Sequence, residues 1–387
     1  MRAACWFGKK DLRVEEVPDP TIINPRDAIV AVSSTAVCGS DLDLFEGRNP
    51  WMRPGDILGH EFMGEVVDVG SEVKEVRRGD RVVVASPIAC GQCWHCRRQE
   101  WSLCDNTNPN AWMAEEVFGH SPAAIFGHSH ILGGYAGGQA EYVRVPFADV
   151  GCVKIDGDLR DEQVLFLADT LPAAYMAVEQ AEIKKDDVVV VWGCGPVGQL
   201  VIRSASLFEP SRVIAIDRIP SRLWMARDRA GAEILDYAGD EVSEALRAMT
   251  GGRGPDAVID AAGLEANGSG PSFVRRGDGV VPSSRRGHPG ALGQAILSCR
   301  KGGRVVLPGV YEGAVDDLPI GAAMSKGLTI RMGRPHVHRY MRPLLDAIGR
   351  GELDASFIVS HRLVLEDAPA AYELLRHEDG VKVVLEA

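Results

Sequence analysis

The 387-residue sequence has no excess of positive charge and no long apolar run, and both absences narrow its function. Its 42 Lys and Arg against 54 Asp and Glu give a formal net charge of −12. This balance disfavours nonspecific nucleic-acid binding, because neutralising phosphates requires a basic surface. No apolar run reaches the ~18 residues of a membrane-spanning helix, and Arg2, Lys9 and Lys10 interrupt the N-terminus too early for a signal peptide. We therefore expect a cytoplasmic protein with no membrane segment and no nucleic-acid partner.

Nine cysteines are present, an odd number that a full set of disulfides cannot use. Four of them crowd into one short segment with the pattern Cys90-x2-Cys93-x2-Cys96-x7-Cys104. In a cytosolic chain, clustered thiols are typical of metal ligands, and four thiolates complete a tetrahedral zinc ion without an open position. A redox or iron–sulfur cluster and reduced loop thiols are the alternatives. The segment lacks a ferredoxin context, so it predicts a closed, structural zinc site.

The hydrophobic pattern divides the chain into two kinds of structure. Short β-type runs bounded by turn residues come first, at 28–32, 64–69, 80–84 and 140–145. Strands at 188–192, 213–216, 234–237, 257–260, 304–307 and 328–331 then alternate with helices at 196–208, 220–230 and 241–250. Such alternation predicts an α/β fold with a parallel, doubly wound sheet.

The length also predicts more than one domain, because a single core rarely grows beyond ~250–300 residues. We expect a β-rich domain at 1–165 and the doubly wound domain at 166–330. The segment 331–387 returns to mixed structure and completes the first domain. Residues 264–290, rich in Gly and Arg, are expected to form a loop insertion.

A glycine-rich turn, Gly193-Cys194-Gly195-Pro196-Val197-Gly198, follows the apolar strand 188–192 and opens a helix. In this context the first glycine permits the tight turn, the second lets the backbone approach a pyrophosphate, and the third packs the helix against the strand. The helix N-terminus then favours the negative charge of the phosphates. The motif predicts a dinucleotide site, with a purely structural turn as the alternative.

The acidic residue that ends the next strand, Asp217, is expected to select between the two nicotinamide dinucleotides. Its carboxylate can accept hydrogen bonds from both ribose hydroxyls, and it repels a 2′-phosphate. The sequence therefore predicts NAD rather than NADP. Arg218 and Arg222 belong to the same predicted site. They argue against this choice, because adjacent cations can pair with the 2′-phosphate of NADP.

Two further polar turns complete a pattern that resembles a known family. Gly59-His60-Glu61-x2-Gly64-x5-Gly70-x2-Val73 lies amid apolar residues, and Cys38-Gly39-Ser40-Asp41 follows an earlier strand. With the nucleotide motif and the four-cysteine segment, the whole chain resembles the zinc-dependent alcohol dehydrogenases of the medium-chain dehydrogenase/reductase family. The stretches 167–175 and 308–311 resemble the branch of glutathione-independent formaldehyde dehydrogenases. The resemblance implies a GroES-like catalytic domain joined to a Rossmann NAD-binding domain.

The resemblance also implies a catalytic zinc held by Cys38, His60 and Asp169. Many members have a cysteine as the third ligand, whereas this chain has Asp169 six residues before Tyr175. A thiolate, an imidazole and a carboxylate leave an open fourth position on the metal. Capping of the following helix is the alternative role of Asp169. With the closed site, two zinc ions per chain are expected.

By the same resemblance, zinc stabilises the substrate alkoxide and the substrate carbon gives a hydride to NAD. Ser40 is expected to accept the hydroxyl proton, and Glu61 to support His60 or to ligate the metal transiently. Asp43 stands where many members have a proton-relaying histidine, so it is either a relay or a surface residue. Lys382 matches a basic residue that contacts the pyrophosphate, unless it is a solvated strand end. Val310 is also expected to contact the cofactor.

These expectations combine into an NAD-dependent dehydrogenase of small alcohols or aldehydes. Polyol or amino-alcohol oxidation shares the same frame, and a zinc-free quinone or enoyl reductase is a further alternative. The third alternative is a nucleotide-binding regulator. The zinc ligands and Ser40 argue against it, because a regulator would need none of them. The resemblance also implies a homotetramer or homodimer, with the stretch 305–311 pairing across a two-fold axis.

Overall fold

The computed structural model describes residues 1–238, 242–263, 290–311, 315, 318–377 and 381–387, and the backbone alone of 273–276 and 279–282. The chain forms two compact units. Unit 1 comprises Met1–Pro172 with His336–Ala387, and unit 2 comprises Ala173–Pro335. The unit boundaries therefore fall a few residues beyond the predicted 165 and 330.

The strands and helices have the following bounds. The strands are β1 (Arg2–Gly8), β2 (Asp11–Glu16), β3 (Ala28–Val37), β4 (Asp56–Ile57), β5 (Glu61–Val69), β6 (Arg81–Val84), β7 (Tyr142–Val145), β8 (Cys152–Lys154), β9 (Val188–Trp192), β10 (Arg212–Asp217), β11 (Glu233–Asp236), β12 (Ala257–Asp260), β13 (Phe273–Arg276), β14 (Gly279–Pro282), β15 (Arg304–Leu307), β16 (Thr329–Met332), β17 (Val359–Val364) and β18 (Lys382–Glu386). The α-helices are α1 (Gly39–Phe45), α2 (Trp94–Arg97), α3 (Ala111–Phe118), α4 (Ala148–Gly151), α5 (Asp161–Val164), α6 (Thr170–Gln180), α7 (Pro196–Ala205), α8 (Pro220–Asp228), α9 (Val242–Met249), α10 (Ala291–Ser298), α11 (Ile320–Lys326), α12 (Val337–Gly349) and α13 (Ala368–Arg376). Among the described residues, no helix is both long and apolar enough to span a membrane.

Unit 1 is built on a seven-stranded sheet whose path runs β17-β18-β3-β5-β6-β8, with β7 pairing with β3 as well. Its neighbours are antiparallel apart from β17 and β18. Successive residues of a strand face opposite sides, so alternate residues such as Val30 and Val32 enter one core. That core also holds Phe62 and Phe126, whose rings meet edge to face at 5.2 Å. The early β-type runs of the sequence thus close into the predicted β-rich domain.

The central strand β3 determines which polar residues meet at one end of this sheet. β5 and β18 pair with its final residues from opposite sides, so that Ala36 faces Glu61 and Val37 faces Val383. Cys38 directly follows β3, and Lys382 is the first residue of β18. Residues distant in sequence therefore reach the same end of the sheet.

Unit 2 contains the predicted parallel sheet, with six strands in the order β11-β10-β9-β12-β15-β16. All neighbouring strands in it are parallel. The strand order reverses at β9, so the segments after β9 and β12 diverge at the carboxyl edge, where open α/β sheets bind ligands. The apolar residues Val190, Ile214 and Val258 lie in a core with side chains of α9 and α10.

The structure corrects two expectations about unit 2. β15 lies between β12 and β16, so the prediction that 305–307 pairs across a two-fold axis is wrong, because that strand has neighbours on both sides. Among the described strands of this sheet, β16 is the edge strand on that side. The loop predicted over 264–290 is wrong for β13 and β14, which pair as antiparallel strands. The remainder of that segment before residue 290, with Gly268, Gly270, Arg285 and Arg286, lies outside the described residues.

Candidate metal and dinucleotide sites

A buried histidine lies at the centre of a polar cluster in unit 1. His60 is 4% exposed, and its Nδ1 lies 3.1 Å from Oδ1 of the fully buried Asp41. The carboxylate of Asp41 also accepts the backbone N–H of Cys38 at 3.0 Å. Burial opposes protonation of the imidazole, but the charge of Asp41 and the hydrogen bonds with Asp41 and Cys38 together outweigh it and raise the pKa of His60. With Nδ1 engaged, Nε2 is the nitrogen that remains to bind a metal.

Two carboxylates lie near His60, and their hydrogen bonds differ. Asp169 accepts the hydroxyl of Ser86 on Oδ1 at 2.5 Å, and its Oδ2 lies 3.7 Å from Nε2 of His60. Glu61 accepts both the N–H of Thr170, at 3.0 Å, and the Thr170 hydroxyl on Oε1. The ammonium of Lys382 pairs with Oε2 of Glu61. Burial raises the pKa of Asp169. For Glu61 the effect of burial is outweighed by the charges of Lys382 and His60 together with the hydrogen bonds from Lys382 and Thr170, so its pKa is lowered.

The structure brings together the thiol and the imidazole predicted to bind the catalytic metal. Potential ligand atoms of Cys38, His60 and Glu61 lie within 4.8 Å of one another. The third residue of this set is Glu61. Asp169 is not part of the set, but its Oδ2 lies 3.7 Å from Nε2 of His60. Four potential ligands, of which two are carboxylates, therefore surround one place in unit 1.

Ser40 and Asp43 lie on α1, which begins directly after Cys38. Ser40 is half-buried. Asp43 is 9% exposed, and its Oδ1 lies 2.6 Å from Nη1 of Arg48. Asp43 is therefore not the surface residue that one alternative described, and its role as a proton relay stays a prediction.

The four clustered cysteines of unit 1 converge on a second place. Their Sγ atoms lie within 4.8 Å of one another, with 4.0 Å between Cys90 and Cys96 and 3.8 Å between Cys93 and Cys104. Sγ of Cys90 accepts the N–H of Gln92 at 3.5 Å and that of Cys93 at 3.3 Å. Burial alone would raise the pKa of Cys90, but these N–H donors lower it to about 7. Four converging sulfurs fit a tetrahedral ion.

In unit 2 the glycine-rich turn follows β9 as predicted. Gly193 has a φ of +85°, in the left-handed region that favours glycine. A Cβ on Gly198 would lie 1.8 Å from the carbonyl oxygen of Gly193, whereas a Cβ on Gly195 would have no atom within 4 Å. Pro196 and Val197 are the first two residues of α7. Close packing therefore requires a glycine at position 198, whereas Gly195 faces open space.

An open pocket lies beside this turn. It is lined by residues that include Trp192, Asp217, Arg218 and Tyr237. Asp217 fastens the turn, because its Oδ2 accepts the N–H of Cys194 at 2.6 Å and its Oδ1 accepts that of Arg218 at 2.7 Å. Carboxylate oxygens carry further lone pairs, so hydroxyl groups of a ligand can still be accepted.

Arg222 and Val310 lie on opposite sides of the central strand β9. Arg222 is in α8, after β10, and its Nε is buried without a hydrogen-bond partner. Val310 is 49% exposed and comes three residues after β15. A Cβ on Gly263 would lie 2.9 Å from the nitrogen of Val310, so these two backbones touch at the carboxyl edge.

Three residues of these sites were missed from the sequence. Asp41 orients His60, and its position three residues after Cys38, in the first turn of α1, was the available signal. Gln199 donates to the carbonyl groups of Cys194, at 3.0 Å, and Arg222, at 2.8 Å. It is an amide on the buried face of α7, which is the signal that could have found it.

The third missed residue is Asp260, at the carboxyl end of the buried strand β12. Its carboxylate accepts the hydroxyl of Tyr311 and the N–H of Ala262, the latter at 3.0 Å. Burial raises the pKa of Asp260 to about 6. The signal was an acid that ends an apolar strand beside the one bearing the glycine motif.

Comparison with known proteins gives the family. Residues 24–157 match the model of the alcohol dehydrogenase GroES-like domain, and residues 196–282 match that of zinc-binding dehydrogenase. The zinc-type alcohol dehydrogenase-like protein AdhB of Bacillus subtilis is 38% identical over 390 residues, which cover 100% of both chains. The glutathione-independent formaldehyde dehydrogenase of Pseudomonas aeruginosa is 31% identical over 96% of this chain and 94% of its own. The solved alcohol dehydrogenase TADH from Thermus sp. ATN1 has a TM-score of 0.85 and 34% identity, covering 100% of this chain and 99% of its own.

The chain belongs to the zinc-dependent alcohol dehydrogenases of the medium-chain dehydrogenase/reductase family. The predicted α/β fold class, with a GroES-like unit and a Rossmann sheet, is confirmed. The protein is accordingly a zinc-dependent oxidoreductase of alcohols and aldehydes.

Two of the three glycines of the turn, Gly198 and Gly195, predict different effects of an added methyl group on stability. Gly198→Ala should lower the free energy of unfolding by about 3 kcal/mol, because a backbone oxygen cannot move aside as a side chain can. Gly195→Ala, the matched control, should unfold like the wild type, since its Cβ meets nothing within 4 Å. It should nevertheless weaken dinucleotide binding. Thermal unfolding and a dinucleotide titration by protein fluorescence measure both effects, and equal stability of the two variants would contradict the packing argument.

Proposed function

We propose that this protein uses NAD to oxidise small alcohols, and NADH to reduce the corresponding aldehydes, at a zinc ion held by Cys38, His60 and Asp169. The observation that carries the proposal is the buried His60, whose Nδ1 is engaged by Asp41 while Nε2 faces Asp169 at 3.7 Å. A histidine oriented in this way by a carboxylate is typical of metal sites. The thiolate of Cys38 is a soft donor and the imidazole of His60 a borderline one, and both suit zinc.

The choice of Asp169 as third ligand rests on hydrogen bonding. Both oxygens of Glu61 are engaged, by Thr170 and by Lys382. In Asp169 the hydroxyl of Ser86 engages Oδ1, and Oδ2 is the oxygen that approaches His60. Asp169 can therefore give one oxygen to a metal without losing its bond to Ser86.

The bound zinc would supply a Lewis acid that polarises the substrate oxygen and lowers the pKa of an alcohol. The residues of the chain orient this chemistry. Asp41 fixes the imidazole of His60 in the tautomer with Nε2 free, and Ser40 is placed two residues after Cys38 to accept the hydroxyl proton. Asp43, whose Oδ1 lies 2.6 Å from Nη1 of Arg48, is proposed to relay that proton onward from α1.

The four cysteines are proposed to hold a second zinc ion, which makes two per chain. Four sulfurs leave no coordination position for a substrate, so this ion would stabilise the fold of the segment 90–104. The converging Sγ atoms and the N–H donors around Cys90 support this assignment.

NAD is proposed as the cofactor because Asp217 is the charged side chain that fastens the glycine-rich turn. A 2′-phosphate beside this carboxylate would meet a like charge. The open space at Gly195 supports a close approach of the pyrophosphate. A small aldehyde or alcohol is the proposed substrate, since the chain is similar to a formaldehyde dehydrogenase over 96% of its length.

The function is tested with a panel of primary, secondary and polyol substrates, following the absorbance of NADH. Wild-type protein should contain about two zinc ions per chain and oxidise small primary alcohols fastest. A preference for polyols, or activity with a single zinc ion, would contradict the proposal.

The ligand set predicts that Asp169→Ala lowers kcat/KM by at least ~100-fold, which exceeds the usual effect of losing a mere neighbour of a ligand. Elemental analysis should find one zinc ion fewer. Asp68→Asn, which changes an exposed carboxylate of β5 in the same unit, is the control and should keep both ions. If Asp169→Ala keeps both ions and normal turnover, Glu61 becomes the third ligand.

The cofactor assignment predicts a wild-type preference for NAD of ~100-fold or more in kcat/KM, because charge-assisted bonds to the ribose are worth about 1–3 kcal/mol and are replaced by repulsion. Asp217→Ser should raise NADP use and lower NAD use, leaving Arg218 and Arg222 to pair with the phosphate. Asp217→Asn keeps the size and an acceptor for the turn, so it separates charge from loss of the bond to Cys194. An unchanged ratio in both variants would show that another residue selects the cofactor.

We also propose that two copies of the chain associate through the edge strand β16. Apolar side chains are exposed near this edge of unit 2, with Met332 65% and Ile320 56% exposed. Met332→Glu should lower the mass found by light scattering toward that of one 41.7 kDa chain, because a charge is costly in a buried interface. Trp224→Glu, at an exposed position of α8, is the control and should keep the wild-type mass. A wild-type monomer would overturn this assembly.

A further inference from the structure

The side chain of Lys382 is fully buried in unit 1, which is unusual for a lysine. Its ammonium pairs with Oε2 of Glu61 and lies 3.3 Å from the hydroxyl of Thr170. The ring of Phe166 lies on another side, with its centroid 5.8 Å from Nζ. A buried charge is tolerated when it is paired and hydrogen-bonded. Lys382 is therefore not the solvated strand end that the sequence left open.

Glu61 is held from two sides by elements far apart in the sequence. α6 begins at Thr170, which donates both its N–H and its hydroxyl to Oε1, and β18 supplies the ammonium at Oε2. Glu61 itself is fully buried. Both oxygens of this carboxylate thus have charged or hydrogen-bonding partners within unit 1.

The same carboxylate is within reach of the proposed metal. Glu61 belongs to the set of ligand atoms within 4.8 Å of one another, together with Cys38 and His60. If Asp169 and Glu61 both bound the ion, the protein would fill all four positions of a tetrahedral zinc, as in a structural site. A catalytic site needs an open position, so one carboxylate has to be kept away.

Charge gives the direction of this competition. A free Glu61 carboxylate would be attracted to a divalent cation more strongly than a water molecule is. The ammonium of Lys382 is positively charged, as the metal ion is. It therefore gives the Glu61 carboxylate an alternative partner that is already in place in the folded protein. Asp169 is held instead by the hydroxyl of Ser86, and its other oxygen lies 3.7 Å from Nε2 of His60, which is itself a proposed metal ligand.

We propose that Lys382, together with Thr170, is a positioning residue that holds Glu61 off the catalytic metal and so keeps the fourth coordination position open. This inference rests on the zinc site proposed above. It replaces the pyrophosphate contact implied for Lys382 by the family resemblance, because the ammonium is buried against Glu61 rather than presented to a ligand.

The test uses the full chain loaded with Co²⁺, whose visible spectrum reports coordination, and imidazole as the added ligand. Imidazole is neutral, so its affinity does not respond directly to the loss of a positive charge. In Lys382→Met, Glu61 should occupy the fourth position, change the spectrum of the cobalt protein before any addition, and raise the Kd of imidazole at least tenfold. Lys382→Arg keeps the charge and should retain the wild-type spectrum.

A second pair of variants decides the matter even if Lys382→Met fails to fold. Glu61→Gln and the double variant Lys382→Met with Glu61→Gln both lack the carboxylate that has to be restrained. They should bind imidazole with the same Kd, within twofold, and bind NAD equally well. Loss of NAD affinity of tenfold or more in the double variant alone would instead show that Lys382 contacts the pyrophosphate, and would overturn the proposal.

The outcome also separates this inference from the proposed function. If wild-type protein takes up no Co²⁺ at Cys38 and His60, the zinc site itself is wrong. If it takes up the ion, but Lys382→Met binds imidazole as the wild type does, the site stands and the role of Lys382 is wrong.

Discussion

The antiparallel pairing of β3 with β5 and β18 is the constraint on which the proposed metal site depends. It aligns Ala36 with Glu61 and Val37 with Val383, so the residues just beyond these pairs meet at one end of the sheet. A shift of one residue would turn every side chain of the strand to the opposite face. The alternate residues Ala28, Val30 and Val32 of β3, which lie in the core with Phe62, therefore also fix the register of the polar site.

Buried charge is the second organising feature of unit 1. Three carboxylates at the site each have a partner that fixes their direction: Asp41 has His60, Asp169 has Ser86, and Glu61 has Lys382. An isolated buried charge destabilises the folded state. Removing one member of a buried pair is therefore strongly destabilising, because it leaves the other charge without a partner. The site therefore behaves as a network in which a single substitution changes the groups around it.

Much of this arrangement could be predicted from the sequence, because glycine-rich turns and closely spaced cysteines carry local signals. The turn after β9 and the cluster around Cys90 were found in this way. Contacts between distant segments carry no such signal. The pair formed by Glu61 and Lys382 joins residues 321 positions apart, and the neighbours of β15 follow from the strand order of the whole sheet. Asp41 was visible as a residue, but its role required the geometry of His60.

The discontinuity of unit 1 has a consequence for the order in which the protein is made. All of unit 2 lies between Pro172 and His336, so a ribosome completes the Rossmann sheet before it synthesises β18. Until then β3 lacks its partner β18, and Glu61 lacks its counter-ion Lys382. Such long-range pairing slows folding and leaves a strand edge exposed meanwhile. The nascent chain thus reaches a stage at which every described strand of unit 2 has been synthesised while unit 1 still lacks β17 and β18.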